Sequence, residues 1–163
     1  MKLFSFVLSI ILCLSLVSCT SKKRNTGEIL QELMTAAREL PQGEIYIKNA
    51  AEGEDGYLSA AMADALYGEA ASEYLALTEE YSIYLSSFAK PYEIAVFKCY
   101  SSTDAQKIER MCRERANIVS VALRRTEFHS LHENIRIIRE GDTVVFLMTD
   151  RPDKTERLAK KLI

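Results

Sequence analysis

The chain has 163 residues, with 21 basic against 23 acidic side chains, a formal charge of −2, and 48% hydrophobic and 27% charged residues. That balance gives no electrostatic argument for a nucleic-acid partner or a strongly charged substrate, and the proportions are those of a globular domain rather than a disordered or membrane-embedded one. The length, less an N-terminal leader, suits one domain of ordinary size.

The chain opens on a short apolar run that ends in Leu16-Val17-Ser18-Cys19. Lys2 supplies a positive start, residues 3–15 an apolar stretch, and the small Ser18 a cleavage site just before Cys19, the pattern of a lipoprotein signal. A run of roughly 15 residues falls short of the roughly 20 that span a bilayer as a helix. The expectation is a signal peptide over residues 1–18 and a diacylglyceryl-modified Cys19 as the first residue of the mature chain. Cys13 falls in the discarded leader. Two or three acyl chains meet the requirement for stable anchoring, so the expected location is the extracytoplasmic face of the cell membrane, with membrane lipid as a partner through Cys19.

Residues 19–27 read as a flexible polar tether, in which Lys22, Lys23 and Arg24 lie beside the lipid. The remainder, 28–163, reads as a single domain. Residues 28–40 place Ile29, Leu30, Leu33, Met34, Ala37 and Leu40 at helical spacing, with Thr26 as N-cap and Pro41 as the stop. Residues 44–48 (EIYIK) form a short strand candidate, followed by a loop marked by Gly53 and Gly56. An alanine-rich helix is expected over residues 57–67, ended by Gly68 in a position that tolerates positive φ.

The Tyr-, Leu- and Ile-rich residues 73–87 favour a strand that Glu79-Glu80 breaks or bulges. After a turn at Lys90-Pro91, residues 93–100 (EIAVFKCY) are the clearest strand, and residues 101–104 (SSTD) cap a long helix to about Arg125. Residues 127–134 suggest a short helical turn. Residues 135–139 and 143–149 pair around Glu140-Gly141 as a hairpin, and Asp150 caps a last helix through Leu162.

An internal repeat aligns residues 93–97 with 142–146, bringing Ser101 onto Asp150 and Asp104 onto Asp153. Two strand-strand-helix units predict an α+β fold: an antiparallel sheet of about four strands, helices gathered on one face, and two N-terminal helices ahead of it. Ala95, Phe97 and Cys99 alternate with Ile94 and Val96, and Val144, Phe146 and Met148 with Val145 and Leu147, so both sheet faces are apolar. The second face is covered either by the N-terminal helices or by a partner.

Leu66-Tyr67-Gly68, the stretch 91–98 (PYEIAVFK), Arg115, the stretch 141–147 (GDTVVFL) and the closing Lys-rich helix together resemble domain-of-unknown-function family 4358, small predicted lipoproteins of clostridia-type Gram-positive bacteria. The similarity runs from about Tyr57 to Leu162. It departs at Pro91-Tyr92-Glu93, where the family has a small-Asp-Glu triplet, and over residues 126–134, which lack its Tyr- and Pro-containing stretch. The resemblance implies an envelope lipoprotein and carries over no catalytic residue.

Candidate chemistry is sparse. His129 and His132 have an i, i+3 spacing that can present two metal ligands, but no third ligand is evident, and the sequence carries neither a nucleophile elbow nor a phosphate loop. No metal, cofactor or catalytic residue is assigned. Cys99 and Cys112 sit too far apart along a strand and its following helix to bridge, so two buried reduced thiols are expected. Arg115 falls near the centre of the stripe formed by Ile108, Cys112, Val119 and Leu123, aimed at the sheet. It either snorkels to solvent, pairs with a carboxylate, with Glu93 leading and Asp64 or Glu80 as substitutes, or holds an anionic ligand.

Two functions from different classes follow. The first is a non-catalytic, membrane-tethered module that binds another envelope protein. The second is an envelope hydrolase or small-ligand binder whose site is assembled only in three dimensions.

Overall fold

The computed structural model describes residues 24–87 and 90–163. The expected leader and Cys19 therefore lie outside the described residues. The first helix, α1 (Thr26–Ala37), is capped by Asn25, whose side chain accepts from the Glu28 N–H while the Glu28 carboxylate accepts from the Asn25 N–H. This reciprocal box satisfies two of the orphan donors of a helix N-terminus. It starts the helix inside the expected tether and moves the cap from Thr26 to Asn25. Thr26 is instead buried, its hydroxyl 2.9 Å from Ser82 Oγ.

The strand expected near residue 44 is β1 (Gly43–Ile47), and the alanine-rich segment is α2 (Ala60–Tyr67), capped by Ser59 and ended by Gly68 at φ 96°. Residues 73–87 do not form one strand. Their first part belongs to a short helix, α3 (Ala71–Leu75), and only then does β2 (Thr78–Ser86) begin. A five-residue run of this composition reads equally well as strand or helix; here the Asp64 carboxylate accepts from the Ser72 N–H and favours the helical turn. The register of β2 shifts between Thr78 and Glu80, which places Glu79 in a bulge.

Strand β3 (Glu93–Cys99) leads into α4 (Ser102–Leu123), capped by the Ser101 hydroxyl. A 3-10 helix (His129–Asn134) precedes the hairpin of β4 (Ile135–Glu140) and β5 (Thr143–Met148), which turns at Gly141. The last helix is α5 (Pro152–Leu162). Asp150 does not cap it. Arg151 occupies that position ahead of Pro152, and the Thr155 hydroxyl donates to the Arg151 carbonyl at 3.0 Å; proline at the first position has no N–H that needs a cap.

The fold is α+β with one antiparallel sheet in the order β1-β2-β3-β5-β4. It has five strands rather than about four, because β1 adds to the free edge of β2 from Gly43↔Ser86 to Ile47↔Ser82. Among the described residues three helices rather than two precede β2, with β1 between the first and the second. Gly43 is required there: a Cβ at this position would meet Tyr84 Cε2 at 2.6 Å and Ser86 Cα at 2.9 Å.

The helices are not gathered on one face. Arg139 reaches from β4 to Glu109 of α4, whereas Arg136, three residues earlier and on the opposite side of the pleat, reaches Glu156 of α5. So α4 covers the face of Ala95, Phe97 and Phe146, with α2 and α3 packed beside it, and α1 and α5 cover the face of Ile94, Val96, Val145 and Leu147. The repeat holds in the strands and fails in its helices, since the face already taken by α4 leaves the other as the apolar surface for α5. The second sheet face is thus closed from within the chain, by one N-terminal helix and the last helix.

Candidate functional site

At the interface of α2, α4 and β3 lies a buried polar cluster of Tyr67, Glu93 and Arg115. Glu93 is the first residue of β3 and is fully buried, on the same side as Ala95 and Phe97. Arg115 projects from the sheet-facing stripe of α4, which otherwise presents Ile108, Met111, Cys112 and Val119. Its Nε donates to Glu93 Oε2 at 2.8 Å, Nη2 lies 2.8 Å from the same oxygen, and Nη1 donates to the Leu66 carbonyl at 3.2 Å. The Tyr67 hydroxyl donates to Glu93 Oε1 at 2.7 Å, and the guanidinium carbon stands 5.8 Å from the centre of the Tyr67 ring.

Both carboxylate oxygens therefore have donors, and the cation rests on an aromatic face next to the last carbonyls of α2, where a positive charge is favoured. Burial pushes the Tyr67 phenol well above its ordinary range, the Glu93 charge adds to this, and Arg115 opposes it. Burial alone would lower the Arg115 guanidinium, but the Glu93 and Tyr67 groups beside it raise it. The arrangement is a charge-neutral latch between a helix C-terminus, a second helix and a strand. An anionic ligand would have to displace a carboxylate that already holds the arginine on two nitrogens.

Of the three partners considered for Arg115, the structure chooses Glu93. Asp64 is engaged with the Ser72 N–H, and Glu80 accepts from the Thr26 N–H at 2.8 Å. Tyr67 was not singled out from the sequence as a member, although it closes the alanine-rich helix immediately before Gly68. That glycine lets α2 end against α4, with Glu114 Cγ 3.1 Å from where a Cβ would sit.

The other candidates separate. His129 and His132 are exposed on the 3-10 helix and turn their Nδ1 atoms to the carbonyls of Thr126 and His129. Among the described residues no group of three or more His, Cys, Asp or Glu is placed to hold a metal ion. Cys99 and Cys112 are free and buried. Burial, with Asp104 and Asp142 adding to it, pushes the Cys99 thiol up to about 12, and burial, with Glu93 adding to it, raises the Cys112 thiol well above its ordinary range.

Two connected depressions lie on the α4 face, and the smaller adjoins the latch. A cleft of about 200 Å³ lies between the second half of α4 and strands β2 and β3, lined by Ile118, Ala122, Leu85, Tyr92, Met148 and Arg115. It shares Leu85, Ser86 and Pro91 with a wider depression of about 510 Å³ that continues to Met62, Glu44 and Tyr46. Together they form a largely apolar trough. A third groove, about 560 Å³, lies at the opposite end of the sheet and is charged with both signs, by Arg24, Lys98, Lys161, Glu140 and Asp142.

Among the described residues no helix is long and apolar enough to cross a membrane. Comparison of the chain with family models, with curated proteins and with solved structures gives no match.

Proposed function

We propose that this protein is a cell-envelope lipoprotein of the kind its sequence resembles, anchored through Cys19 on the extracytoplasmic face of the cell membrane, where it acts as a non-catalytic module that binds another envelope protein. The observation that carries the binding role is the trough. Its walls are apolar, and its one buried cation is neutralised within the fold by Glu93. Such a surface suits a partner segment with apolar side chains better than a reacting polar substrate, which needs convergent titratable groups left free to exchange protons. The partner would lay its apolar residues between Ile118 and Leu85 and meet Glu44 at the trough's far end.

A photo-crosslinking side chain tests the reading when placed at Ala122, exposed on the trough wall, and for comparison at Lys154, exposed on α5 across the sheet. The expected result in intact cells is one discrete adduct from position 122 that Ile118→Lys abolishes, and none from position 154. Adducts of equal intensity from both positions, or none from position 122, would remove the trough as the binding surface.

A further inference from the structure

The N-terminal end of the described chain is fastened to one end of the sheet. The Thr26 N–H donates to Glu80 Oε2 at 2.8 Å, and its hydroxyl touches Ser82. Glu80 pairs across the strands with Lys98, and Lys98 is followed within two residues by Tyr100. Tyr100 is 66% exposed, among the most exposed large hydrophobic side chains of the described residues, and the Lys48 ammonium stands 5.2 Å from its ring centre. Ile47, 42% exposed, pairs with the same Ser82 that Thr26 touches. An exposed apolar side chain, a tyrosine and a lysine thus lie at the same end of the sheet as the point where the chain enters the domain.

Covalent geometry now restricts how the domain can stand on a membrane. Six residue steps separate Cys19 from the Asn25 cap, which at full extension reach about 20 Å. Helix α4 starts at this same end and runs 22 residues away from it, about 33 Å at 1.5 Å per residue. Thr26 lies beside Ser82, which pairs with Val96 three residues short of Cys99, about 10 Å in from that end, so turning the far end of α4 toward the bilayer would draw the tether out to nearly its full length, whereas the near end can rest there with the tether slack. Tyrosine, with an apolar ring and a polar tip, is suited to the headgroup layer, and the Lys48 ammonium beside it is held in place by donating to the Thr78 carbonyl.

We propose that the domain rests on the bilayer by this end, with the Tyr100 ring at headgroup level and Lys48 and Ile47 beside it, so that the trough at the opposite end of α4 faces away from the membrane. The inference rests on the lipid anchor at Cys19 and adds an orientation to it. The chain contains no tryptophan, so single substitutions report without background. Tyr100→Trp and, as a control about 28 Å further along α4, Val121→Trp are introduced into the full chain expressed with its own leader. Val121 is 66% exposed, so the control is equally open to solvent. Each purified protein is reconstituted into vesicles of phosphatidylcholine and phosphatidylglycerol with and without brominated acyl chains.

With the acyl mass present on Cys19, the expected result is a blue-shifted emission for Tyr100→Trp that brominated lipid quenches at least twofold, and an unshifted, unquenched emission for Val121→Trp. Equal quenching at the two positions, or none at Tyr100→Trp, in acylated protein overturns the orientation and leaves the anchor standing. Absence of the acyl mass overturns the anchor and the orientation together.

Discussion

Arg115 of α4 and Glu93 of β3, 22 residues apart in the chain, meet in an ion pair whose Nε donates to Oε2 at 2.8 Å, with the carboxylate fully buried and the guanidinium side chain 13% exposed. A buried pair of this kind is not in itself a large source of stability, because desolvation offsets the attraction, but removing one partner leaves a charge without compensation. Arg115→Met is therefore expected to cost about 3–5 kcal/mol, whereas Glu93→Leu with Arg115→Met is expected to recover much of that loss once Tyr67→Phe is added, so that no phenol is stranded. The coupling from a double-mutant cycle, measured by urea unfolding, should exceed about 1 kcal/mol. Additive effects would mean that the two side chains are held by other contacts.

Tyr67 completes the pair, so Tyr67→Phe should destabilise the domain by about 1–3 kcal/mol through the donor lost to Glu93 Oε1. The pH dependence has a definite sign. The phenol's folded pKa is raised, first by burial and then by Glu93, so its stabilising contribution is complete below the unfolded value of about 10 and is lost as pH rises from there toward the folded value. Unfolding free energies measured between pH 8 and 11 should fall for the native sequence and fall less steeply for Tyr67→Phe. Parallel slopes would exclude Tyr67 as a source of the alkaline loss.

The two described thiols should be inert in the folded state. Cys99 is pushed up to about 12 and Cys112 is raised as well, both chiefly by burial, and the thiolate is the reactive form. Peptide mass spectrometry after brief native alkylation is expected to show both unmodified. After denaturation each should carry one adduct, and a peptide pair lighter by two hydrogens would reveal a disulfide instead.

On the acid side, Glu109 sits between Arg139 and Arg113, and the Arg139 hydrogen bond in particular holds its carboxyl below the ordinary range. A depressed folded pKa gives stability that is present above the unfolded value, about 4.3, and is lost as pH falls through the folded one. Glu109→Gln should flatten that acid limb and cost only about 0.5 kcal/mol at neutral pH, as surface ion pairs do. An unchanged acid limb in urea unfolding at pH 3–6 would show that the pair contributes nothing.

The features legible in the order of the residues are local. The stripe of Ile108, Cys112, Val119 and Leu123 sets which side of α4 is buried, and it places Arg115 on that side; the Ser101 hydroxyl marks where the helix starts; the apolar alternation of β3 and β5 marks two strands with no wet face; Gly141 marks the hairpin of β4 and β5. Each of these follows from the period of the element and the chemistry of its ends. The Leu16-Val17-Ser18-Cys19 pattern is local in the same sense and carries the proposed membrane address. Which surfaces meet was settled by long-range packing. It put Tyr67 on Glu93, 26 residues away, and Thr26 on Ser82, 56 residues away, added β1 to the edge of β2, and sent α5 to the face opposite α4. Periodicity records that a surface must be covered but holds nothing about what covers it, because that choice depends on which other surfaces remain open once the rest of the chain has packed.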